Sequence, residues 1–448
     1  MDRNHSTVNP LSRRAILKGM LGLGVTMPFA QRKMIPVLMA DNLSCPATPP
    51  EPTYLLPEDH EFLEDLERAN CLFFVEQSNP QTGLVRDRCD VRAPSSSTVA
   101  SIAATGFGLT ALCIAQQRGF ISLSEATEQV LTTLRFLWAK VPIHRGFFYH
   151  WADVNTGERT WNSEVSSIDT AILLCGILTC RQHFPESEVK RLAHDIFNRV
   201  DWSWLSEDTS LLPHGWTPEI GFLSYRWDYY SELMAMYLLG LGSYSHPLKP
   251  ETWNGWKRVT FEYDGLRYIG SFAPLFVHQY SQAWFDFRDQ RDRYADYFQN
   301  SIIATEVHRR FCLSLAKQFP DYSDSLWGIT ASDSQKGYVI WGGPPAMGPI
   351  DGTIVPSAVG GSLPFLVQPT MRVLRTIKTR YSRAWCRYGF VNAFNPSKNW
   401  YDTDVIGIDT GITLLMAENA RTSFVWNTFM KNSEAQRGMK RAAFHRYR

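Results

Sequence analysis

The chain has 448 residues, 44% of them apolar and only 20% charged, with 45 basic against 44 acidic side chains. That composition excludes a disordered polyelectrolyte, and at a formal charge of +1 the scattered Lys and Arg leave no continuous face for a phosphate backbone, which excludes nucleic acid as a partner. The length fits about three domains of roughly 150 residues or one large barrel.

In chain order, the first feature is an address. Arg13 and Arg14 stand side by side ahead of a short apolar stretch over 19–30, the pattern of a twin-arginine export signal. The stretch is too short to cross about 30 Å of hydrocarbon as a helix, and no later segment offers the roughly 18 uncharged apolar residues that a transmembrane segment needs. The expectation is a signal over 1–40 read by the twin-arginine export machinery, cleavage after Ala30 or Ala40, and a periplasmic or secreted product. Without residues 1–40 the chain keeps 39 basic and 43 acidic side chains, a charge of −4. Asn42 stands where a lipoprotein site wants an aliphatic residue, which disfavours lipid anchoring at Cys45. Pro46, Pro49, Pro50, Pro52 and Pro57 make 41–57 an extended tether.

One domain is expected over 58–448. Apolar spacings of three and four predict helices over 62–74, 99–117, 124–139, 168–180, 189–200, 231–241, 281–300, 301–318, 358–381, 408–418 and 422–430, with short strands near 146–151 and 267–269. About a dozen paired helices with long loops at one end is the pattern of an all-α, (α/α)6 toroid. Its inner helices are apolar nearly all round, as 101–113 and 167–178 are. The eight cysteines need not be staples in a chain of this size; Cys71, Cys113, Cys175, Cys180 and Cys312 read as small hydrophobes. A monomer is the default expectation.

Several chemistries drop out. Gly106-Phe107-Gly108 follows a helical run rather than a strand, so it is not a dinucleotide fingerprint. There is no phosphate loop, no nucleophile elbow and no His or Cys spacing for zinc, so neither a metal nor an organic cofactor is expected. What remains is acids among aromatics where loops enter apolar helices. Glu164 and Asp169 precede 170–178; Ser166 and Asp169 have capping-box spacing, which explains Asp169 and leaves Glu164 unexplained. Trp227, Asp228, Tyr230 and Glu232 precede 233–241. There Asp228 can cap, and Glu232, beside Leu233 and Met234, would be desolvated enough to hold a proton, as a glycosidic acid must. Trp400, Tyr401, Asp402 and Asp404 form the third group; Asp402-x-Asp404 lacks the other oxygens of a calcium loop. His278, Gln279 and Trp284 lie in a fourth aromatic and amide segment. All 15 Trp lie at or after Trp138, and most read as core.

At 166–171, 227–232, 276–288, 326–333, 341–361 and 400–410 the chain resembles the bacterial glucoamylase-like glycoside hydrolases, which include endo-β-1,2-glucanases and relatives of a domain of cyclic β-1,2-glucan synthases. The likeness covers nearly all of 58–444. It implies an (α/α)6 toroid, no obligatory cofactor, and cleavage of a β-linked glucan, with Glu232 at the position of the general acid. The family's glucanases invert, whereas the synthase-associated relatives transfer glycosyl groups with retention. Carboxyls about 6.5–9.5 Å apart would indicate inversion and about 5–5.5 Å retention.

The leading expectation is an exported, inverting endo-β-1,2-glucanase. Glu232 protonates the leaving oxygen, and Asp169, Glu164 or Asp404 activates water, the first two preferred. Trp227, Tyr230, Trp284, Trp400 and Tyr401 stack on sugar rings, with Asp228, His278, Gln279 and Asp402 on hydroxyls. The rivals are a transglycosylating relative, a polysaccharide lyase and a non-catalytic glycan-binding envelope protein. Acid-rich motifs oppose the lyase, whose uronate substrate they would repel.

Overall fold

The computed structural model describes residues 54–93, 97–272 and 274–447; the segment assigned as export signal (1–40), Cys45 and most of the tether lie outside the described residues. The described chain is mostly helical, and its strands form sheets of only two or three short members. The helices are α1 (Pro57–Glu76), α2 (Ile102–Gln117), α3 (Leu123–Ala139), α4 (Ser167–His183), α5 (Ser187–Asn198), α6 (Trp202–Ser206), α7 (Met234–Gly242), α8 (Tyr297–Ser314), α9 (Pro356–Gly360), α10 (Val367–Arg380), α11 (Gly407–Thr422), α12 (Phe424–Phe429) and α13 (Ser433–Arg441).

Two kinds of helix alternate, and composition decides which is which. Every residue over 102–115 of α2, 167–180 of α4 and 234–242 of α7 is buried, because small and apolar side chains run all the way round these helices. Helix α5 instead buries one stripe, Val189, Leu192, Ala193, Ile196 and Phe197. Helix α2 packs against α1, α4 and α11, α4 also against α5 and α7, and α11 against α1 and α9. Glycines set the closest approaches. A β-carbon on Gly176 of α4 would lie 2.1 Å from the Gly106 carbonyl oxygen of α2, and one on Gly411 of α11 would lie 2.4 Å from the Phe107 ring. Gly106 therefore serves helix contact.

A helix that begins inside a protein leaves its first N–H groups without partners. The Ser101 and Ser166 hydroxyls accept from the N–H groups of Ala104 and Asp169, capping α2 and α4. The segments ahead of the buried helices are then stitched together. Val99–Ser101, ahead of α2, pairs with Trp151–Asp153, and Tyr149 bridges to Val165 ahead of α4. Ser167 Oγ donates to the His214 carbonyl at 2.8 Å and accepts from Trp227 Nε1 at 2.9 Å, reaching the loop ahead of α7. Ser281 Oγ donates to the Glu232 carbonyl at 2.7 Å, and the Phe276 N–H donates to Thr330 Oγ1 at 3.4 Å. The Val355 N–H, ahead of α9, donates to the Gly328 carbonyl at 2.9 Å, and Ile354 bridges to Phe394. The Asn392 N–H donates to the Asp404 carbonyl at 2.8 Å, and Asp404–Ile406, ahead of α11, pairs with Arg88–Asp90. The Asp87 N–H then donates to the Val99 carbonyl at 3.0 Å and closes the circuit. At the other helix ends, Arg421 of α11 pairs with Glu67 of α1, and Arg118 Nε donates to Glu418 Oε2 at 2.8 Å. Burial and the neighbouring Glu418 charge push Glu67 up to about 8.

Two expected helices are broken. In place of the expected helix over 281–300 the chain makes a short 3₁₀ turn, Tyr280–Ala283, following another at Leu275–His278, and α8 starts only at Tyr297, where Asp296 accepts from the Gln299 N–H. The segment 358–381 divides at Gly360, Gly361 and Pro364 into α9 and α10. The strand near 267–269 belongs to a hairpin, Val259–Tyr263 with Leu266–Gly270, turned by Asp264 and Gly265 at φ of 49° and 74°. Cys71, Cys113, Cys175, Cys180 and Cys312 are buried free thiols, and the sulfurs of Cys113 and Cys180 lie 3.6 Å apart.

The α2 to α4 contact yields a test. Gly176→Ala adds about 1 kcal/mol of helix propensity, but places a carbon 2.1 Å from a backbone oxygen. Because overpacking typically costs about 1–3 kcal/mol and here the clash is with backbone, a net loss of about 2 kcal/mol is expected in urea unfolding. An unchanged or raised midpoint would refute the contact.

Candidate active site

Three acidic groups sit on the stitched loops. In the first, Asp169 lies in the first turn of α4, its N–H donating to Ser166 Oγ at 3.0 Å while the Ser166 hydroxyl donates to Asp169 Oδ2. The cap expected from the sequence is therefore formed. Glu164 precedes the helix and is held by a residue that the sequence reading did not select. His150 Nδ1 is 3.2 Å from Glu164 Oε1, and His150 Nε2 is 3.7 Å from Asp169 Oδ2. One imidazole thus spans the two carboxylates. The His150 ring stacks on Trp151 with centroids 4.1 Å apart, and the His150 backbone N–H donates to the Glu164 carbonyl at 2.9 Å. The available clue was Tyr149-His150-Trp151, an aromatic triplet opening a turn-rich stretch.

Glu232 is half-buried on the turn just before α7. The expected cap at Asp228 does not form. Helix α7 begins at Met234 without a side-chain cap, and Asp228 is instead held by its carbonyl, which accepts from the Lys257 N–H at 2.7 Å. Glu232 consequently lies ahead of the helix rather than one turn inside it.

Several residues expected to meet sugar are core residues. Trp284 is wholly buried, its Nε1 donating to Thr110 Oγ1 at 3.0 Å and its ring on Phe107 at 4.9 Å. Trp227 is buried with its N–H on Ser167 and its ring stacked on His214 at 4.0 Å. Tyr230 is wholly buried, its hydroxyl 3.1 Å from His278 Nδ1. Burial pushes the Tyr230 phenol up to about 12 and His278 down to about 3, so the imidazole is neutral at ordinary pH. The Gln279 amide donates to the Ala358 carbonyl at 2.9 Å and Ser362 Oγ at 2.8 Å, so it braces α9 rather than a hydroxyl of a ligand. These are corrections with one cause. Flat side chains fill gaps between helices as readily as they line a cleft, and their polar tips then find partners inside.

In the third group, Arg88 is the organiser. Its Nη1 donates to Asp333 Oδ2 at 2.6 Å and Asp404 Oδ2 at 3.0 Å, and its Nε donates to Asp87 Oδ2 at 3.1 Å. The Asp333 N–H donates to Asn392 Oδ1 at 2.7 Å, and Asn392 Nδ2 donates to Asp409 Oδ2 at 2.7 Å, in the first turn of α11. Burial raises the Asp404 carboxyl against the opposing pull of Arg88. Asp402 Oδ1 accepts from the N–H groups of Thr403 and Asp404 at 2.8 and 3.2 Å, while Oδ2 is buried without a hydrogen bond among the described residues. Burial first, then the Asp333 charge, pushes Asp402 up to about 7. Trp400 is half-buried; the Tyr401 ring already carries Phe394 at 5.5 Å and the Arg383 guanidinium at 4.3 Å, which removes it from the stacking set. Asp87, Arg88 and Asp333 had no local signature, because Arg88 meets partners 245 and 316 positions away.

A carboxyl raised in the folded state binds a proton that the unfolded chain releases, so its stability contribution is present at low pH and lost as pH rises through the folded value. Asp402 should titrate near pH 7 in carboxyl ¹³C NMR, with the signal absent in Asp402→Asn and its midpoint lowered in Asp333→Asn. A midpoint near 4, the ordinary carboxylate range, would contradict the burial argument.

Comparison with known proteins places this arrangement. Residues 224–433 match the family model described as "Glycoamylase: Putative glucoamylase". The chain is 26% identical over 423 residues to the exo β-1,2-glucooligosaccharide sophorohydrolase (non-reducing end) of Parabacteroides distasonis, covering 86% of this chain and 58% of that protein. It therefore spans under two thirds of that curated relative. The endo-β-1,2-glucanase of Chitinophaga pinensis, solved with sophorotriose and glucose, superposes with a TM-score of 0.82 at 26% identity over 86% of this chain and 98% of its own. The β-1,2-glucanase structure from Parabacteroides distasonis gives 0.79 at 26% identity, over 86% of this chain and 60% of that one. Over 224–433 the chain is thus similar to the glucoamylase family model, and across most of its described length to these β-1,2-glucanase structures.

Proposed function

We propose that this protein is a glycoside hydrolase that cleaves β-1,2-linked glucan by carboxylate general acid and base catalysis. The observation that carries the reading is the recurrence of acids at the N-terminal ends of buried helices, Glu164 ahead of α4 and Asp169 in its first turn, Glu232 ahead of α7, Asp404 ahead of α11 and Asp409 in its first turn, where the leading segments are joined in one circuit. The architecture we assign is an (α/α)6 toroid, with α2, α4, α7, α9 and α11 among its inner helices. Of the relatives above, one is named for exo action on β-1,2-glucooligosaccharide and one as an endo-β-1,2-glucanase. We take endo attack as the mode of this chain, as named for the Chitinophaga pinensis relative.

In this reading Glu232 protonates the leaving glycosidic oxygen. Water attacks the anomeric carbon from the opposite face, giving inversion, and passes its proton to a second carboxylate. Glu164 and Asp169 are preferred for that role because His150 bridges them. Asp404 is the weaker choice, its charge already engaged by Arg88. The twin-arginine sequence over 1–40, a tether over 41–57 and one catalytic domain over 58–448 complete the proposal, with the product periplasmic or secreted.

A linkage panel of glucans tests it. Soluble β-1,2-glucan should yield new reducing ends and a ladder of oligosaccharides, while β-1,3, β-1,4 and α-1,4 glucans should not. Glu232→Gln should lower kcat about 1,000-fold with little change in KM, the scale of a lost general acid. Wild-type turnover in that variant would sink the acid assignment, and preference for another linkage would sink the substrate assignment.

A further inference from the structure

Trp161 is 44% exposed at the surface, yet the chain beneath it is tightly held. Trp161 and Asn162 adopt φ of 55° and 49°, the left-handed region that residues with a β-carbon avoid and that persists only where surrounding contacts impose it. Those contacts come from Arg159. Its Nε donates to the Ser163 carbonyl at 2.6 Å and its Nη2 to the Asn162 carbonyl at 2.7 Å, clamping the two residues from below. Glu219 fixes the guanidinium in turn, accepting from Nη1 at 2.6 Å and Nη2 at 3.0 Å. The raised indole meets Trp151 edge to face, centroids 5.5 Å apart, and Trp151 stacks on His150, which contacts Glu164. An exposed flat surface is thus locked in place and connected through two rings to the bridged carboxylates.

We infer that Trp161 is a glucosyl-stacking platform at the edge of the cleft, its orientation set by the Arg159 and Glu219 clamp. The occupant is a pyranose ring of the glucan, whose C–H face matches an indole in shape and polarity. The inference rests on the β-glucan hydrolase reading and adds a binding site to it. A ring fixed before binding loses little freedom when sugar arrives, which is the use of the strained loop.

The test compares wild type with Trp161→Ala, Trp161→Phe and Arg159→Lys on long β-1,2-glucan and on the shortest oligosaccharide cleaved. Trp161→Ala should raise KM for the long glucan about tenfold with kcat unchanged, Trp161→Phe should restore most of the loss, and Arg159→Lys should move KM in the same direction as the alanine variant. The thermal midpoint of Trp161→Ala should stay within about 2 °C of wild type, which separates binding from folding. If wild type cleaves the glucan and Trp161→Ala keeps the wild-type KM, the platform is wrong and the hydrolase reading stands. If wild type cleaves none of the panel, the hydrolase reading fails. Fluorescence titration with β-1,2-glucooligosaccharides then decides the platform, and titrations alike for wild type and Trp161→Ala would overturn it.

Discussion

The structure depends on satisfying the N-termini of helices that start inside the protein. Buried N–H groups without partners are costly, and the helical residues of α2, α4 and α7 are buried from their first turns. The solution is a set of serine caps and short strand pairings that join each leading segment to the next. The circuit closes from Val99 back to Asp87, so each leading segment is hydrogen-bonded to the next. Side chains on loops fixed by a scaffold are held in defined positions.

The acids on those loops are handled in two electrostatic ways. Around Arg88, one guanidinium holds Asp87, Asp333 and Asp404 together, so three carboxylates share a centre without mutual repulsion winning. At His150 the joining group is an imidazole instead. There one ring contacts both carboxylates, Nδ1 at 3.2 Å from Glu164 Oε1 and Nε2 at 3.7 Å from Asp169 Oδ2. Asp402, desolvated and beside Asp333, stands between these cases.

Much of the scaffold was legible in the sequence because burial on all sides leaves a plain mark. The runs over 101–113 and 167–178 carry almost no charge, and they are helices enclosed on every side. Ser166 and Asp169 were readable as a cap from spacing alone, and the cap is there. Legibility failed where local pattern and tertiary demand diverge. The segment over 281–300 has helical spacing, but Asp289 in a left-handed conformation and the Asp296 cap divert it until α8 begins. Aromatics were the least readable class. Trp227, Tyr230 and Trp284 lie in the core, whereas Trp161 reaches solvent, and no spacing rule separates the two fates. The Arg88 cluster was out of reach because its members come together only through the strand pairing of Arg88–Asp90 with Asp404–Ile406 and the Asn392 contact to Asp333.

The central claim is that acids ahead of α4 and α7 face one sugar-binding cleft. The most direct measurement is a crystal structure of the Glu232→Gln variant with a β-1,2-glucooligosaccharide long enough to span it. The account predicts that the amide introduced at position 232 lies within hydrogen-bond reach of a glycosidic oxygen, with a water on the opposite face of that sugar held by Glu164 or Asp169. An oligosaccharide bound away from that amide, or a side chain at position 232 turned from the cleft with the loops unchanged, would contradict it.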